Sequence, residues 1–342
     1  MLFDERPKSN REDLFDRDRE LGELLDNIHR PIILLTGIRR IGKTSILRVA
    51  LNMVDTEYIL IDGRGLKPNY GLRDMYSLLS SAFSRSGSRI LELIKGLRGV
   101  KVLGSGVEFS WGGRESLDLI ELFDRLNRRR VIVAIDEAQY FRGPQSNIMR
   151  NLLAHSYDYN DNVTFILTGS EVGLLHDFLL LDEPDSPLYG RYIHNITVER
   201  FSRDESFEFL KRGFNEAGVE IDHKLIEEAV DLFDGIPGWL TFFGNRYISG
   251  IRRMEDIIAM AVNMAVKELR SICRTDRYRY VLKGIAEGLD SWSKIKRYVE
   301  EREKRTISDS ILSNIIRNLE DMSIISKYKF LDPIYLLAAR KL

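Results

Sequence analysis

The chain has 342 residues, which at about 150 residues per domain predicts two or three domains. Hydrophobic residues make up 44% of it and only 8 residues are proline, which excludes disorder as the main state. The 51 Lys and Arg residues nearly balance 52 Asp and Glu residues, for a net charge of -1. A nucleic acid or an anionic membrane would therefore have to be bound by a local patch rather than by the overall charge.

The cysteine content and the lengths of the apolar runs indicate where the protein works. The single cysteine, Cys273, excludes an internal disulfide framework and a thiolate-rich zinc site. Apolar runs such as Ile257 to Val262 are far shorter than the about 20 residues that span a bilayer. The charged start, Met1 to Arg6, does not resemble a signal peptide. We expect a soluble, cytoplasmic protein with no membrane partner.

Residues 1–200 alternate short apolar runs with longer helical patterns. The candidate strands are Pro31–Thr36, Tyr58–Asp62, Arg130–Ile135 and Thr164–Thr168. These runs are almost continuously apolar, as in parallel sheets that helices cover on both faces. The candidate helices, with apolar residues three and four apart, are Lys43–Met53, Gly71–Ser84, Leu117–Asn127 and Asn147–Ser156. The repeat predicts a doubly wound α/β domain, with a loop or β-hairpin inserted at Gly96–Gly113.

The remainder of the chain is predominantly helical. Between residues 201 and 274 the pattern predicts a small helical domain with helices at Arg203–Ala217, His223–Phe233, Trp239–Ser249 and Met254–Cys273. Residues 275–342 predict a winged helix-turn-helix domain with helices at Tyr278–Glu287, Ser293–Glu300 and Ser308–Met322 and a β-like segment at Ile324–Phe330. The predicted domains are therefore 1–200, 201–274 and 275–342.

The segment from Gly37 to Thr44 matches the phosphate-binding loop pattern G-x-x-x-x-G-K-[ST] at every fixed position. It follows a candidate strand and precedes a candidate helix, as this loop requires. The glycines allow backbone N–H groups to surround phosphates at a helix N-terminus. Lys43 would reach the β- and γ-phosphates, and the Thr44 hydroxyl would bind Mg²⁺. We assign nucleotide binding to Gly37, Ile38, Arg39, Arg40, Ile41, Gly42, Lys43, Thr44 and Ser45.

Two carboxylates, Asp136 and Glu137, follow the apolar run Val131–Ile135. Burying charge at a strand end is costly unless a cation or water compensates it, and Mg²⁺ is the natural partner. Asp136 would hold the metal through its water shell, and Glu137 would orient and polarise the attacking water. The chain has no Asn-Lys-x-Asp or Thr-Lys-x-Asp segment of the kind that reads guanine, which favours adenine, hence ATP and ADP as cofactors.

These motifs together resemble the archaeal ATPase family, which belongs to the STAND class of P-loop ATPases and is related to AAA+ proteins. The matching segments are Leu14–Glu20 with Leu24, Thr36–Ser45, Ile135–Gln139, Leu167–Ser170, Pro187–Arg191 and Gly235–Gly238. The resemblance spans nearly the whole chain and extends to a C-terminal winged helix. The paired arginines Arg39 and Arg40 are its most particular mark.

The resemblance implies roles for further residues. Phe15 and Arg17 would line the adenine side of the cleft, and Thr168 or Ser170 would sense the γ-phosphate or position water. Arg191 would contact the γ-phosphate from the same chain or from a neighbour, since a guanidinium can donate two hydrogen bonds to one phosphate.

Pro237, in the segment Gly235-Ile236-Pro237, would lie near the nucleotide and report its state. Where many AAA+ motors have an arginine after this segment, the chain has Trp239 and Leu240, which counts against a processive motor.

The C-terminal stretch from Asp276 to Leu342 carries 14 Lys and Arg residues against 10 Asp and Glu residues. Lys294, Arg297, Arg317 and Lys327 could contact a DNA backbone, but a dedicated reader of DNA is usually more basic. Winged helices also bind proteins, so a DNA partner and a protein partner both remain open.

The function expected from all of this is a Mg²⁺-dependent ATPase whose hydrolysis repositions the winged helix as a conformational switch. One alternative is a DNA-binding initiation or loading ATPase that resembles origin-recognition proteins. Another is a scaffold stabilised by nucleotide without useful hydrolysis, and a hexameric remodelling motor is a weaker one. Nucleotide-dependent self-association is also open.

Overall fold

The computed structural model describes residues 1–104, 106–114 and 116–342. The strands are, in chain order, β1 (Ile32–Thr36), β2 (Glu57–Asp62), β3 (Val100–Leu103), β4 (Gly106–Phe109), β5 (Val131–Asp136), β6 (Val163–Gly169), β7 (His194–Thr197), β8 (Ile325–Ser326) and β9 (Lys329–Phe330). The first eight helices are α1 (Asp18–Asp26), α2 (Lys43–Met53), α3 (Leu72–Ser84), α4 (Ser88–Ile94), α5 (Leu119–Leu126), α6 (Ser146–Tyr159), α7 (Val172–Leu179) and α8 (Arg203–Glu216). The others are α9 (His223–Phe233), α10 (Pro237–Ile248), α11 (Met254–Ile272), α12 (Asp276–Ala286), α13 (Trp292–Glu303), α14 (Asp309–Asp321) and α15 (Pro333–Ala339).

A five-stranded parallel sheet in the order β2-β5-β6-β1-β7 organises the first part of the chain. This arrangement confirms the predicted fold class. The four predicted strands are all present, whereas the edge strand β7 was not predicted. A loop or a β-hairpin was predicted at Gly96–Gly113, and the antiparallel pair β3 and β4 shows that it is a hairpin; Ser105 between the two strands lies outside the described residues.

Helices cover both faces of this sheet, and the side chains of β1 show why its sequence is continuously apolar. Ile32 and Leu34 belong to the apolar cluster that contains residues of α3, α5 and α6. Ile33 and Leu35 belong to the cluster on the opposite face, with residues of α1 and α2. Because all strands run parallel, their carboxyl ends meet at one edge, where the phosphate-loop segment and Asp136 lie.

A single apolar cluster extends from the helices α8–α11 into the C-terminal helices α12–α15. Phe3 from the beginning of the chain also belongs to it, 2% exposed. A Cβ at Gly213 or Gly244 would lie 2.3 or 2.4 Å from the Phe3 ring, so these helical glycines make room for it. The predicted domain boundary between residues 274 and 275 therefore crosses a continuous core and stays a prediction.

The longest helix of the described residues, α11, is amphipathic. Ile257, Ala261, Ala265 and Leu269 are buried and lie four residues apart along one face of the helix, whereas Glu255 is exposed. In the described part of the chain, no helix combines the length and apolar character that crossing a bilayer requires.

The C-terminal region combines α12, α13 and α14 with the hairpin β8–β9, as the winged-helix pattern predicts. The additional helix α15 begins at Pro333, packs against α11 and α12, and was not predicted. The end of α14 touches the α/β part: the Val172 N–H donates to Ser323 Oγ at 3.1 Å. A Cβ at Gly173 would lie 2.4 Å from the Cα of Asp321, so only glycine permits this close approach.

Replacing the Phe3 ring tests its contribution to the helical core. We expect Phe3→Ala to lower the free energy of unfolding by about 3 kcal/mol, because a fully buried ring leaves a cavity when it is removed. Its ring also meets Phe214 edge-on, at 4.9 Å between centroids. Urea unfolding followed by circular dichroism measures the change. Tyr189→Ala, which removes a ring that is 52% exposed, should change the free energy little; equal losses would contradict the prediction.

Candidate phosphate-binding site

The loop from Gly37 to Thr44 connects the end of β1 to the start of α2, and its backbone conformation explains its glycines. Gly37 and Gly42 have φ angles of 150° and 102°, which side-chain-bearing residues rarely adopt. A Cβ at Gly37 would also lie 2.6 Å from the carbonyl oxygen of Val198. Arg40 is the one residue of the loop other than glycine with a positive φ angle, 63°. The loop is thus wound tightly around the N-terminus of α2.

Lys43 is the first residue of α2, and its side chain folds back into the loop. Its ammonium donates to the carbonyl oxygens of Gly37, at 2.8 Å, and Ile38, at 2.9 Å. Burial lowers the pKa of Lys43 to about 8, because the charged form is poorly solvated there. A polyphosphate would give this buried cation the anionic partner that the carbonyl oxygens replace only in part.

Asp136 ends β5 and is 4% exposed. The Thr44 hydroxyl lies 3.1 and 3.0 Å from its two carboxylate oxygens, and Thr168 Oγ1 donates to Oδ1 at 2.6 Å. Burial raises the pKa of Asp136, while the hydrogen bonds from Thr168 and Thr44 oppose this shift. A hydroxyl beside a carboxylate is a donor set that suits Mg²⁺, and Thr44 and Asp136 are the residues that could hold it.

Glu137 follows immediately, in a left-handed backbone conformation with φ 54°. Its carboxylate Oε2 accepts from Gln139 Nε2 at 2.6 Å and from Ser170 Oγ and N at 2.7 and 3.1 Å. Burial acts to raise the pKa of Glu137, but the charge of Lys43 and these hydrogen bonds outweigh it and leave the pKa below its usual value. The carboxylate is therefore ionised at neutral pH and able to accept a proton.

A cavity of about 340 Å³ lies beside the loop. Its size falls within the range of small-molecule sites. Three segments that are distant in sequence form its walls: the N-terminal segment Leu2–Lys8, the phosphate loop, and the start of α10 at Pro237 and Trp239. Glu137 also reaches it. A ligand in this cavity would touch the α/β part and the helical part together.

The residues of the Leu14–Glu20 motif occupy one wall of the cavity. Phe15 lines it and meets Phe201 and Phe209 edge-on, with ring centroids 5.5 and 5.4 Å apart. Arg17 is buried, with its guanidinium 4.4 Å from the Phe201 ring centroid, and donates to the Ile41 carbonyl oxygen at 3.1 Å. Arg17 therefore supports the phosphate loop as well as lining the cleft.

Pro237 and Ser45 also lie at the cavity. Pro237 begins α10, and the next residue, Gly238, donates its N–H to the Arg40 carbonyl oxygen at 2.9 Å. Ser45 Oγ accepts the Lys8 N–H at 3.1 Å. The residue that follows the segment Gly235–Pro237 is thus bonded directly to the phosphate loop.

The structure does not bring Arg191 to this cleft. Arg191 precedes β7 by three residues and forms a salt bridge at 2.6 Å with Asp158, near the carboxyl end of α6. Both positions lie at the amino ends of the parallel strands, opposite the edge that carries the loop. Contact with the γ-phosphate of the same chain is incompatible with this arrangement, and contact with a neighbour's phosphate stays a prediction.

Two contributors to the site were not predicted from the sequence. The segment Leu2–Lys8 carries no motif, and only the pair of helical glycines at Gly213 and Gly244 could have indicated a ring inserted from elsewhere. Gln139, which holds Glu137, lies within the matched segment Ile135–Gln139 but was given no role there.

The four candidate DNA-contacting residues, Lys294, Arg297, Arg317 and Lys327, are all exposed. Lys294 pairs with Asp290 at 2.8 Å. The first turns of α14 face solvent at Ser310 and Asn314, and the end of that helix meets the α/β part. The face that would enter a DNA groove is thus accessible, with acidic residues nearby.

Residues 14–243 match the model of an ATPase domain predominantly from Archaea, and residues 273–334 match that of the C-terminal winged helix-turn-helix domain of MCM proteins. The chain is similar to a Walker-type ATPase of Pyrococcus abyssi, with 37% identity and a TM-score of 0.85, covering 99% of this chain and 100% of that one. No curated protein matches the sequence.

More distant solved structures are also similar to the chain. The Orc1 protein of Aeropyrum pernix, solved with DNA, has 17% identity and a TM-score of 0.49, covering 96% of this chain and 92% of that one. A STAND protein of Pyrococcus horikoshii with a tetratricopeptide repeat sensor has 14% identity and a TM-score of 0.47, covering 98% of this chain and 43% of that one.

The depressed pKa of Lys43 predicts how nucleotide affinity depends on pH. Protonated Lys43 would bind phosphate, and above about pH 8 the free protein loses this proton. A phosphate ester is fully ionised above pH 7.5, since its second pKa is about 6. The affinity for ATP should therefore fall on the order of tenfold between pH 7.5 and 9.5, measured by calorimetry. Lys43→Arg, whose guanidinium keeps its proton, should show a flat profile; a parent profile as flat would contradict the prediction.

Proposed function

We propose that this chain, which belongs to the family of ATPase domains found predominantly in Archaea, binds ATP with Mg²⁺ and hydrolyses it to ADP and phosphate. The observation that carries the proposal is the cluster at the carboxyl edge of the sheet. There the buried ammonium of Lys43, the hydroxyl of Thr44 and the carboxylate of Glu137 line one end of a cavity. The buried Asp136 lies within hydrogen-bond distance of Thr44, and the four groups together suit phosphoryl transfer to water.

The phosphate loop supplies binding and charge. The backbone amides at the start of α2 and the ammonium of Lys43 would stabilise the triphosphate, while Phe15 would pack against the base. Thr44 and Asp136 would hold Mg²⁺, which neutralises phosphate charge when bound. Lys43 would exchange its bonds to the loop carbonyl oxygens for bonds to phosphate oxygens.

Glu137 would accept the proton of the water that attacks the γ-phosphorus. Its ionised carboxylate is held by Gln139 and Ser170, and these hydrogen bonds fix its orientation. The bond from the attacking oxygen to phosphorus forms while the bond to the β,γ-bridging oxygen breaks, and ADP leaves with that electron pair. Ser170 would therefore act by holding the base in place.

Hydrolysis would operate a conformational switch. The cavity is lined by the α/β part and by α10, so the nucleotide would hold the two parts at one angle. Because α10 to α15 share one apolar cluster, a change at Pro237 would be carried to the C-terminal helices as a packed unit. Loss of the γ-phosphate would release this restraint and move the winged helix.

Two substitutions separate binding from turnover. Lys43→Ala should weaken ATP binding on the order of 100-fold, because it removes the buried cation. Glu137→Gln keeps the size and one hydrogen-bonding oxygen but not the basicity, so binding should persist while turnover falls at least about 100-fold. Calorimetry and phosphate release measure the two effects, with the exposed Glu301→Gln as the control.

Unchanged turnover in Glu137→Gln would remove Glu137 from the role of base. If instead the unmodified protein gains melting temperature with Mg-ATP but releases no phosphate, the scaffold function is the correct one.

The accessible face of α14 favours DNA as a second candidate function, in a loading or initiation role. Lys294 and Arg297 lie on α13 and Arg317 on α14, all three exposed. They would contact phosphates, while Ser310 and Asn314 on the first turns of α14 would face bases. The similarity of residues 273–334 to the winged helix of MCM proteins supports the placement of these roles.

Salt dependence tests the DNA function. Each lost phosphate contact should reduce the slope of log affinity against log salt by about 0.9, so Lys294→Ala with Arg297→Ala should reduce it by about 2. Fluorescence anisotropy with duplex DNA measures the slope. Lys211→Ala, an exposed lysine on α8, is the matched control. A slope that the double variant leaves unchanged would exclude this face as the DNA contact.

A further inference from the structure

The side chain of Arg40, in the middle of the phosphate loop, does not point at the cavity alone. Its guanidinium forms an ion pair with Glu268 of α11, lies 4.2 Å from the ring centroid of Trp239 on α10, and lies 6.0 Å from that of Tyr335 on α15. One loop residue therefore contacts three helices of the second half of the chain.

The backbone of Arg40 is held by the same half of the chain. Its φ angle of 63° is one that a side-chain-bearing residue rarely adopts, so surrounding contacts must maintain it. Gly238 donates its N–H to the Arg40 carbonyl oxygen at 2.9 Å, and a Cβ at Gly238 would lie 2.6 Å from that of Arg40. The loop conformation at this residue thus depends on α10.

The partners of Arg40 continue to the C-terminal helices. Tyr335 Oη donates to Glu268 Oε2 at 2.6 Å, so the acceptor of the Arg40 ion pair is also bound by α15. Trp239 Nε1 donates to Asp332 Oδ2 at 2.8 Å, and Asp332 Oδ1 accepts the Ile334 N–H that begins α15. Because α15 packs against α12, the first helix of the winged-helix pattern, these bonds connect the loop to that region.

Arg39 provides a shorter second connection. It forms an ion pair with Glu171, just before α7. The following residue, Val172, donates its N–H to Ser323 at the end of α14. Arg39 and Arg40 are thus both bonded to residues in or next to elements that touch the C-terminal region. The other groups of their loop are those that would bind phosphate.

We infer that Arg40 is a positioning residue that couples the nucleotide bound in the loop, ATP or ADP, to the docking of the winged-helix region. The coupling runs through Glu268 and Tyr335. The inference rests on the proposed function, since it names how that site is regulated. Arg40 is held differently in a loop that closes around a γ-phosphate and in a loop that has no γ-phosphate to close around. Arg40 therefore keeps its bonds to α11 and α15 in only one of the two states. Linkage then requires that docking and the preference for ATP over ADP depend on each other.

A purely structural role for Arg40 would give a different result in the binding of ATP and ADP. If Arg40 only stabilised the loop, removing its partners would weaken ATP and ADP binding by the same factor, because both nucleotides use the same loop. The ratio of the two affinities therefore separates coupling from support.

The first experiment measures this ratio with a non-hydrolysable ATP analogue and with ADP, by calorimetry in Mg²⁺. Glu268→Gln removes the charge of the partner, and Tyr335→Phe removes the hydroxyl alone. Each should change the ratio of affinities at least about fivefold. Glu303→Gln is the matched control, because Glu303 forms an ion pair with Arg277 within the C-terminal region and away from the loop. A ratio within twofold of the parent in both partner variants would overturn the inference.

Substitutions of Arg40 itself add a test of the backbone argument. Arg40→Ala removes the side chain and keeps the unfavourable φ angle, whereas Arg40→Gly removes the side chain and relieves that angle. Both variants should change the ratio of the ATP-analogue and ADP affinities by the same factor. Arg40→Gly should bind each nucleotide more tightly than Arg40→Ala. Adding Glu268→Gln to Arg40→Ala should change the ratio no further, since one interaction cannot be lost twice. Additive changes would overturn the pairing.

The second experiment follows the winged-helix region directly. In a Cys273→Ala background, Glu121→Cys on α5 and Glu301→Cys on α13 provide two exposed positions for labels whose distance is measured by electron spin resonance. The parent distance should differ between the ATP analogue and ADP, and the difference should shrink in Tyr335→Phe. A parent without any difference contradicts the proposed switch, and the affinity ratio still decides the coupling. A parent difference that Tyr335→Phe and Glu268→Gln both preserve in full overturns the role of Arg40 alone.

Discussion

The cost of burying charge at the carboxyl edge of the sheet is the constraint on which the rest of the structure depends. An ammonium at Lys43 and carboxylates at Asp136 and Glu137 lie within one water-poor region, where unpaired charges are strongly unfavourable. The protein compensates with weak partners: loop carbonyl oxygens for the cation, and the hydroxyls of Thr44 and Ser170 for the anions. These partners are sufficient for folding, yet phosphate and a divalent cation would replace them with stronger ones.

The parallel topology makes this concentration of charge unavoidable, and the remainder of the chain is arranged around it. The strand order places β1 and β5 on either side of β6, so the phosphate loop and Asp136 project from the same edge one strand apart. The cleft is then closed by segments remote in sequence, with Phe3 anchoring the N-terminal segment in the helical core and Pro237 opening α10 against the loop. A ligand held there would contact the N-terminal segment, the phosphate loop and the start of α10 at the same time.

Sequence reasoning recovered what short-range rules determine. The phosphate loop, Asp136 and the strands β1, β5 and β6 follow from fixed spacings and from side chains covered on both faces, and the apolar run of β2 was recognised as well. The edge strand β7 has one buried residue of four and no continuous apolar run, so its pairing is decided by β1 rather than by its own sequence. The distance of Arg191 from the cavity of its own chain could not be predicted for the same reason, since its side of the sheet depends on where β7 begins. Contacts between distant segments, such as Phe3 with Gly213, leave no local signal that identifies the partner: a helical glycine indicates room for a side chain but not which one fills it.

The choice of residue at position 40 shows how local preference and tertiary contact conflict in this fold. Its left-handed backbone would suit glycine, and an arginine there costs roughly 1 kcal/mol in conformation. Burying most of a guanidinium adds to that cost unless ion pairing and aromatic contacts offset it, which Glu268 and Trp239 do. All of those offsetting contacts lie outside the α/β part. The phosphate loop can therefore keep its conformation at the lowest free energy only while the second half of the chain stays docked. A glycine there would keep the backbone bond from Gly238 but would depend less on that docking.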